Sequence, residues 1–248
     1  MIPLHGAAAI ITGAAQGLGL AIARAYAAEG MRLALMDVNA GALENLAEEL
    51  QAGGTECLPL LVDLSDAAAT QRAADDALNA FGAPRVLVHN AALLVQRSML
   101  DITFAEWRME SDIILQAAFL LSKAVWLPMI EAGGGSIVYV SSGSGIKGFE
   151  KEIAYCPAKH GQEGLMKSLA IEGGPHNIAV NTITPGAPMH TPMSEANYTE
   201  EHKRAWVDPS KLAPAFVYLA RQNARGVTGE RLNAWQISDA MSAAHADS

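Results

Sequence analysis

The feature that most constrains the fold is a glycine-rich turn between an apolar run and an alanine-rich segment. Residues 7–11 are apolar, and Thr12 leads from them into Gly13, Gly17 and Gly19. A strand, a tight turn and a helix in this order predict a phosphate site, because the first turn of a helix presents unpaired N–H groups and the positive end of its dipole. Glycine also lets a pyrophosphate approach the backbone closely.

A carboxylate follows this turn at the distance that dinucleotide binding requires. Residues 31–36 predict the second strand, and Asp37 stands at its carboxyl end, about 20 residues after the glycines, where an acid binds a ribose 2′-hydroxyl. A 2′-phosphate there would meet a repulsion of roughly 4 kcal/mol at the dielectric of a protein surface. Position 16 is Gln, and the loop has no Lys or Arg to offset that charge. The sequence therefore favours NAD over NADP, the alternative being that Asp37 only caps a turn.

Composition excludes several classes of partner. The chain has 248 residues, 50% of them hydrophobic, and a net charge of −9 with no basic run. That balance argues against nucleic acid and anionic membrane surfaces. Gln116 and Lys123 interrupt the longest apolar stretch, so no membrane span is expected, and no signal peptide pattern is found. Isolated cysteines and scattered histidines predict reduced thiols, a cytoplasmic protein and no metal site.

Strand and helix patterns alternate along the chain without a linker or an internal repeat. This alternation predicts right-handed βαβ units on a parallel sheet and one domain over residues 1–248. Further strands are expected at 58–62, 85–89, 136–140, 178–183 and 229–234, and helices at 17–29, 40–52, 65–81 with Ser65 as N-cap, 104–131, from 155 onwards and 209–222. The tail from Ser238 is expected to fray.

Two segments suggest roles beyond the sheet. The helix expected at 104–131 has almost no polar face, so one side should pack on the sheet and the other on a second subunit. Residues 187–208 are irregular or weakly helical, and a segment of this length at the ligand end of a sheet predicts a small substrate lid. Its prominent side chains are Met189, His190, Met193, Tyr198 and Trp206.

Tyr155 and Lys159 give the sharpest chemical signal after the glycine turn. One helical turn separates them, so their side chains share a face. A nearby ammonium favours the phenolate and lowers the tyrosine pKa from about 10, which suits a base near neutrality, and the same lysine can bind a ribose. Ser142, at a strand end, can donate to a substrate oxygen. The three residues predict alcohol–carbonyl interconversion with a nicotinamide as hydride carrier, although a Tyr–Lys pair alone is usually structural.

Together these motifs resemble the short-chain dehydrogenase/reductase family over nearly the whole chain. The matching residues are Thr12, Gly13, Gly17, Leu18, Gly19, Asp63, Asn90, Ala91, Ala92, Ser142, Tyr155, Lys159, Asn181, Pro185 and Gly186. The resemblance implies an α/β, Rossmann-type, doubly wound fold whose seven-stranded parallel sheet has helices on both faces. It also implies a catalytic set of Ser142, Tyr155 and Lys159, and a homotetramer or homodimer built on the helices at 104–131 and 155–173.

The glycine turn and the resemblance together define the expected cofactor site. Its residues are Gly13, Gln16, Gly17, Leu18, Gly19, Asp37, Asp63, Leu64, Asn90, Ala91, Tyr155, Lys159, Pro185, Gly186 and Thr191. By the same resemblance, Asp63 would contact the adenine, Ile183 and the Pro185–Gly186 turn would flank the nicotinamide, and Thr191 would lie near its carboxamide.

Three positions depart from the family pattern. Ile114 occupies a position where the family commonly has an Asn that holds a water in the proton relay, and isoleucine cannot hold it; Ser111, one turn earlier, is a candidate substitute. His89 stands where Asn is frequent and is interpreted as a strand-end histidine without chemistry. Residues 233–236 replace a frequent Gly pair, which is expected to change subunit contacts near the C-terminus.

Three functional hypotheses remain open from the sequence. The first is an NAD-dependent oxidoreductase acting on a secondary alcohol or ketone, with Tyr155 as acid/base. The second is an NADPH-dependent carbonyl or 3-oxoacyl reductase, and the third is an NAD-binding sensor or assembly component without turnover. The small-molecule substrate pocket is expected at 93–97, 143–154 and the lid, where Arg97, Lys147 and Lys151 are either solvated charges or contacts to an acidic substrate.

Overall fold

The computed structural model describes residues 2–197 and 199–246 and contains a seven-stranded sheet in which every neighbouring pair is parallel. Its strands are β1 Ala8–Thr12, β2 Arg32–Asp37, β3 Cys57–Leu61, β4 Val86–His89, β5 Gly135–Val140, β6 Ile178–Thr184 and β7 Arg231–Asn233. The spatial order β3-β2-β1-β4-β5-β6-β7 confirms the expected Rossmann-type sheet.

Helices connect the strands, as the alternating pattern predicts. They are α1 Gly17–Ala28, α2 Ala40–Ala52, α3 Ala67–Phe81, α4 Phe104–Ser111, α5 Ala117–Glu131, α6 Tyr155–Gly173, α7 Pro192–Asn197, α8 Glu200–Lys203, α9 Ala213–Ala220 and α10 Ala234–Ala246. A π-helical turn, Asp112–Gln116, joins α4 to α5, and 3₁₀ turns occupy Gly143–Gly145, Gly174–His176 and Pro209–Leu212.

Helices cover both faces of the sheet, so its strands are apolar on both sides. Ile10 and Ile11 are adjacent in β1 and almost completely buried, but they belong to different cores. Ile11 packs in the core that α1, α2, α9 and α10 form, whereas Ile10 packs in the core of α3, α5 and α6. This arrangement explains the unbroken apolar runs of the sequence, because a half-exposed strand would alternate.

The direction in which successive strands are added to the sheet reverses between β1 and β4. These strands lie side by side, and Thr12 at the end of β1 pairs in register with His89 at the end of β4. Open parallel sheets bind ligands at such a switch point, beyond the carboxyl ends of the strands. The fold therefore brings the segments that begin at Gly13 and Asn90 together at one mouth.

The start of α3 differs from the prediction. The helix begins at Ala67, and Asp66 is its N-cap, with its carboxylate accepting from the backbone N–H groups of Ala68 and Ala69. Ser65 instead donates to Asp63 from both its backbone and its hydroxyl. Aspartate can cap as well as serine, so the sequence offered two candidate caps in succession.

The C-terminal segment also differs, because it forms a helix where fraying was expected. Asn233 caps α10 by accepting from the backbone N–H of Gln236. Ser238 is 2% exposed, and its hydroxyl accepts from the N–H of Ala215 and donates to the carbonyl of Leu212. The small polar residues thus dock α10 on α9, a role that their composition does not reveal.

The helical stretch Phe104–Glu131 was expected and is present, interrupted only by the π turn. Its most apolar window has a mean hydropathy of 1.8, so by length and composition it is long enough to cross a membrane, and the expectation that no stretch reaches that length was wrong. Gln116 and Lys123 interrupt the run too sparsely to lower its average. Part of the stretch belongs to the core, whereas Trp107, Phe119 and Leu127 are exposed.

Candidate active site

The glycine turn has a backbone geometry that side chains would disrupt. Gly13 and Gly17 have φ values of +60° and +55°, a region that glycine enters without strain. A Cβ on Gly19 would overlap the carbonyl of Gly13, and a Cβ on Gly13 would lie 3.0 Å from the Asn90 amide nitrogen and from the Ala91 Cα. Each glycine is therefore required for close backbone packing at the switch point.

Hydrogen bonds from Asn90 and Ala91 support this turn. The Thr12 hydroxyl accepts from the backbone N–H groups of both residues at 3.0 Å. The Asn90 side chain donates to the carbonyls of Thr12 at 3.1 Å and Gly13 at 3.0 Å. The two residues expected to contact the cofactor thus also support the glycine turn.

The first turn of α1 suits a bound anion. Gln16 is the N-cap but makes no side-chain capping bond, and the first turn, which lies within the described residues, contains no acidic residue. Leu18 is buried and anchors the helix in the core. The first N–H groups of α1 are therefore available to a pyrophosphate, so this part of the chain fits a dinucleotide.

The Asp37 carboxylate is held at the mouth of the turn by two backbone donors. One oxygen accepts from the N–H of Ala15 and the other from the N–H of Asn39, each at 2.9 Å. Asp37 is 7% exposed, and these bonds fix its carboxylate between the end of β2 and the glycine turn. The negative charge thus stands beside the expected phosphate seat.

Asp63 and Leu64 contribute differently from each other. The exposed Asp63 side chain accepts from the N–H and the hydroxyl of Ser65 at 2.9 and 2.8 Å. Leu64 is 6% exposed and packs in the core near Met36. The Leu64 side chain is therefore a structural element of the adenine end of the expected site.

Thr191 and the Pro185–Gly186 turn approach the site from its other side. The Gly186 φ is +75°, and a Cβ there would overlap the Asn233 side chain, while the Pro185 carbonyl accepts from the Trp235 N–H at 3.1 Å. The methyl carbon of Thr191 lies 3.1 Å from the point where Gly17 would carry a Cβ. Residues from both halves of the chain thus meet over the glycine turn.

The segment expected to form a lid is ordered by its own side chains. It contains α7 and α8, and a bridge between Met189 and Val207 joins its two ends. Glu195 accepts from His190 at 2.8 Å and pairs with Lys203 at 3.0 Å, and the His190 ring stacks on Trp206. Tyr198 lies outside the described residues.

Tyr155 and Lys159 come together in the interior, as the spacing predicts. Their exposures are 7% and 2%, and the Lys159 Nζ lies 5.6 Å from the centroid of the tyrosine ring. Nζ donates to the Val140 carbonyl at 2.6 Å and to the Gln162 side-chain oxygen at 3.3 Å. Burial lowers the Lys159 pKa to about 7, and the Glu163 carboxylate opposes that shift.

Ser142 stands directly after β5 and is linked to a buried carboxylate. Its hydroxyl oxygen accepts from the Ser144 N–H at 3.2 Å and lies 3.3 Å from the Ser144 hydroxyl. Ser144 in turn donates to Glu152 at 2.6 Å, and Cys156 contacts the same carboxylate oxygen. Ser144 and Glu152 lie in the range 143–154 that was expected to line the substrate pocket, but their link to Ser142 was not predicted.

A partly buried ion pair lies beneath this strand end. Glu163 on α6 accepts from Arg231 of β7 at 3.1 Å and from the hydroxyls of Ser141 and Thr182 at 2.5 and 2.8 Å. Arg231 also donates to the Ser142 carbonyl at 2.9 Å. This network was not predicted, and its one signal in the sequence is a carboxylate on the buried face of α6.

His89 makes specific hydrogen bonds at the end of β4. Its Nδ1 lies 3.0 Å from the Thr12 hydroxyl, and its Nε2 lies 3.1 Å from the carbonyls of both Ile113 and Ile114. Carbonyls only accept, so the proton is on Nε2. Burial, with a smaller contribution from the Lys159 charge, lowers the His89 pKa to about 3, and the ring is neutral.

The Ile114 carbonyl also accepts from the Gln162 side chain at 3.2 Å. Ile114 is completely buried, and Gln162 and His89 supply the polar contacts around it. Ser111, the substitute suggested from the sequence, lies half-buried at the end of α4. Gln162 was missed because the Ile114 carbonyl that it contacts belongs to a distant segment, and a single glutamine three residues after Lys159 forms no motif.

The expected substrate walls carry acidic groups. Glu110 is 1% exposed, its pKa is raised to about 7 chiefly by burial, and one of its oxygens accepts from the Val95 N–H at 3.4 Å. Arg97 pairs with Glu106 at 3.3 Å and joins residue 152 through a backbone bridge.

Asn181 has a structural role, since its side chain bonds to the backbone of Val227 and Glu230.

The comparisons with known proteins identify the family of this chain. A sequence model of the short chain dehydrogenase family matches residues 7–202. The chain belongs to this family. The short-chain dehydrogenases are oxidoreductases that use a nicotinamide cofactor, and the fold described above is theirs.

Relatives act on chemically diverse alcohols. D-Threitol dehydrogenase of Mycolicibacterium smegmatis is 34% identical over 246 residues, which cover 92% of this chain and 91% of the relative. The 3-alpha-(or 20-beta)-hydroxysteroid dehydrogenase of Mycobacterium bovis is 35% identical over 233 residues, with coverage of 91% and 86%. The structure of L-sorbose reductase from Gluconobacter frateurii with NADPH and L-sorbose has a TM-score of 0.84 at 25% identity, covering 94% of this chain and 97% of that chain.

Within the described residues, no group of three or more His, Cys, Asp and Glu side chains has an arrangement suited to a metal ion. Cys57 and Cys156 are both free and buried.

Proposed function

We propose that the protein is an NAD-dependent oxidoreductase that interconverts a secondary alcohol and a ketone. The observation that carries the proposal is the burial of Lys159 against the Tyr155 ring at the carboxyl ends of β4 and β5. A buried ammonium beside a phenol stabilises the phenolate, which is the base that alcohol oxidation requires. The glycine turn and Asp37 lie at the same edge of the sheet.

The residues of the proposed catalytic set have distinct tasks. Tyr155 removes the hydroxyl proton of the alcohol, Ser142 donates a hydrogen bond to the substrate oxygen, and Lys159 stabilises the phenolate and binds the ribose. A bound nicotinamide supplies the hydride acceptor, or the donor in the reverse direction. Arg231 and Glu163 keep Ser142 in place through its carbonyl.

The preference for NAD rests on the charge of Asp37. Its carboxylate is fixed by Ala15 and Asn39 and would repel a 2′-phosphate. The opposing candidate is an NADPH-dependent carbonyl reductase, favoured by the NADPH in the similar structure of L-sorbose reductase. Initial rates with NAD and NADP at matched concentrations separate the two: a higher kcat/KM with NAD supports the first, and a higher value with NADP overturns it.

The substrate proposed is a small alcohol or ketone. The relatives named for D-threitol, a hydroxysteroid and L-sorbose span polyols, steroids and sugars, so the screen should include all three classes. Buried Glu110 and Glu152 place negative or acidic groups near the expected pocket, which favours uncharged substrates over hydroxy acids. A hydroxy acid as best substrate would contradict that part of the proposal.

The proposed role of Tyr155 is tested by Tyr155→Phe, with the best substrate from the screen. Removing a general acid/base costs about 10²- to 10⁴-fold in rate. We expect turnover to fall by that factor while NADH still binds with nearly unchanged affinity, measured by fluorescence titration. An undiminished kcat would refute the role.

We also propose a cytoplasmic homotetramer or homodimer. The exposed apolar side chains of the long helical stretch favour an interface there, since Phe104, Trp107, Phe119 and Leu127 are exposed between 38% and 74%. Light scattering on the purified protein decides the matter: a mass near that of one chain would exclude the assembly.

A further inference from the structure

The Gln162 side chain connects the expected catalytic lysine to the π turn. It is completely buried on α6, its amide nitrogen donates to the Ile114 carbonyl at 3.2 Å, and its oxygen accepts from the Lys159 Nζ at 3.3 Å. An amide has one donor end and one acceptor end, so the carbonyl and the ammonium together determine its orientation.

His89 completes the same unit from β4. Its neutral ring donates from Nε2 to the Ile114 carbonyl at 3.1 Å, and its Nδ1 accepts from the Thr12 hydroxyl at 3.0 Å. The Ile114 carbonyl therefore accepts hydrogen bonds from both His89 and Gln162. The bond to this carbonyl fixes the Gln162 amide so that the amide oxygen points towards Lys159.

The ammonium of Lys159 needs such acceptors because it is 2% exposed. Transferring a cation from water into the interior is costly unless hydrogen bonds compensate. The Val140 carbonyl at 2.6 Å and the Gln162 oxygen at 3.3 Å are the acceptors that the structure gives it. Charge-assisted hydrogen bonds of this kind are stronger than neutral ones.

The charged and titratable groups around Lys159 come from three elements. Tyr155 and Glu163 lie on α6, neutral His89 lies on β4, and Arg231 of β7 pairs with Glu163. The Glu163 charge is shared with Arg231, so its attraction for Lys159 is partly offset. The direct acceptors therefore act together with the nearest carboxylate in stabilising the ammonium.

We propose that Gln162 is a positioning residue that keeps Lys159 in its ammonium form beside Tyr155. The inference depends on the proposed role of Tyr155 as base and adds the side chain that sustains it. Without the Gln162 acceptor the ammonium becomes less stable, and the phenolate that it favours then forms only at higher pH.

The test measures the phenol directly, without substrate or cofactor. Ultraviolet absorbance of the phenolate is followed against pH, and subtracting the Tyr155→Phe titration isolates Tyr155. Burial raises the pKa of Tyr26 and Tyr139 far above the usual value, so these two remain protonated in the relevant range. For Gln162→Met we expect the Tyr155 transition to rise by about one pH unit, as loss of a hydrogen bond to a charged group implies.

Matched variants separate the effect of losing the hydrogen-bond acceptor from the effect of altered packing. Gln162→Leu also lacks an acceptor and decides the question if the methionine variant does not fold. Gln162→Ser packs worse but leaves room for a water that accepts from Lys159, so its transition should stay closer to the native one. Met166→Leu alters a fully buried apolar residue of the same helix and should leave the transition unchanged.

Two results would overturn the proposal. One is an unchanged Tyr155 transition in both acceptor-free variants, and the other is a rise in the serine variant as large as in the methionine variant. In steady-state assays the acid limb of kcat/KM should move in parallel with the absorbance transition. Persistent turnover in Tyr155→Phe would instead refute the proposed function, and the absorbance titration does not depend on that outcome.

Discussion

The glycine turn and the proton-handling pocket lie at the same edge of the sheet but are built from different materials. The turn is mostly backbone, shaped by Gly13, Gly17 and Gly19, with one carboxylate, Asp37, at its mouth. The pocket is made of buried and partly buried polar side chains from β4, β6, α6 and β7 that bond to one another. The shape of the backbone determines what the glycine turn can bind. The stability of the pocket depends instead on whether its buried polar groups all have hydrogen-bond partners.

His89 is the contact between the two regions. It bonds to Thr12, which supports the glycine turn, and to the Ile114 carbonyl, which Gln162 links to Lys159. A substitution in the glycine turn should therefore leave the pocket unaffected, and the reverse should also hold. Only changes near His89 should affect both regions. The following predictions test that division, from the largest expected effect to the smallest.

Glu163→Leu should have the largest effect, because it leaves Arg231 and the hydroxyls of Ser141 and Thr182 without their partner. Removing one member of a largely buried ion pair costs about 3 kcal/mol in the free energy of unfolding. Urea unfolding measures it. Glu163→Gln also removes the charge but keeps one acceptor oxygen for the hydroxyls, so it should lose less; equal losses in both variants would show that the charge, which both lack, accounts for the whole effect.

Gly19→Ala should damage the turn without touching the pocket. The new Cβ would overlap the Gly13 carbonyl, and the forced shift should cost about 2 kcal/mol and weaken NADH binding at least about tenfold. Gly41→Ala is the matched control, because that α2 glycine has open space around it and should gain about 0.5–1 kcal/mol. Fluorescence titration and urea unfolding report the two effects, and native-like binding in Gly19→Ala would contradict the description of the turn.

Acidification should weaken the contact between the regions. The His89 pKa is about 3 in the fold and about 6.5 in the unfolded chain, so only the unfolded chain binds the proton between these values. Neutral His89 therefore makes its full contribution to the free energy of unfolding above pH 6.5, and that free energy falls by about 2 kcal/mol by pH 5. His89→Asn should show a flatter dependence of unfolding free energy on pH, and parallel curves for the two proteins would disprove the assignment.

Asp37→Asn should have the smallest effect, seen as a change in cofactor choice. It removes the charge and keeps an oxygen for one of the two backbone donors. Loss of the other hydrogen bond affects both cofactors alike, so the ratio of NADP to NAD affinity should rise about tenfold, a change of about 1.4 kcal/mol. Asp63→Asn is the comparison, because the adenine is common to both cofactors and that ratio should hold. An unaltered ratio in Asp37→Asn would remove the charge argument for NAD.

Local signals predicted the turn well. The glycine spacing, the strand before it and the carboxylate after it all act through short stretches of backbone, and the structure places Gly13, Asp37 and Asn90 together as expected. The Tyr155–Lys159 pair was predictable for the same reason, since one helical turn relates them. The start of α3 and the helix at the C-terminus were not, because neighbouring caps competed and the docking of Ser238 on α9 is a tertiary contact.

The buried partners of the pocket could not be predicted. Glu163 and Arg231 are distant in the chain, and nothing in either neighbourhood indicates that α6 and β7 bring them to 3.1 Å. Ile114 was interpreted as a loss because its side chain is apolar, yet the structure uses its carbonyl, a group that every residue possesses.

The sequence by itself determined the alternation of strands and helices, the glycine turn and the pairing of Tyr155 with Lys159. These follow from periodicity and backbone conformation, which act over a few residues. The tertiary structure alone decided which groups surround the lysine. A buried charge needs partners from every direction, and those partners are chosen by how distant segments pack, which no local pattern records.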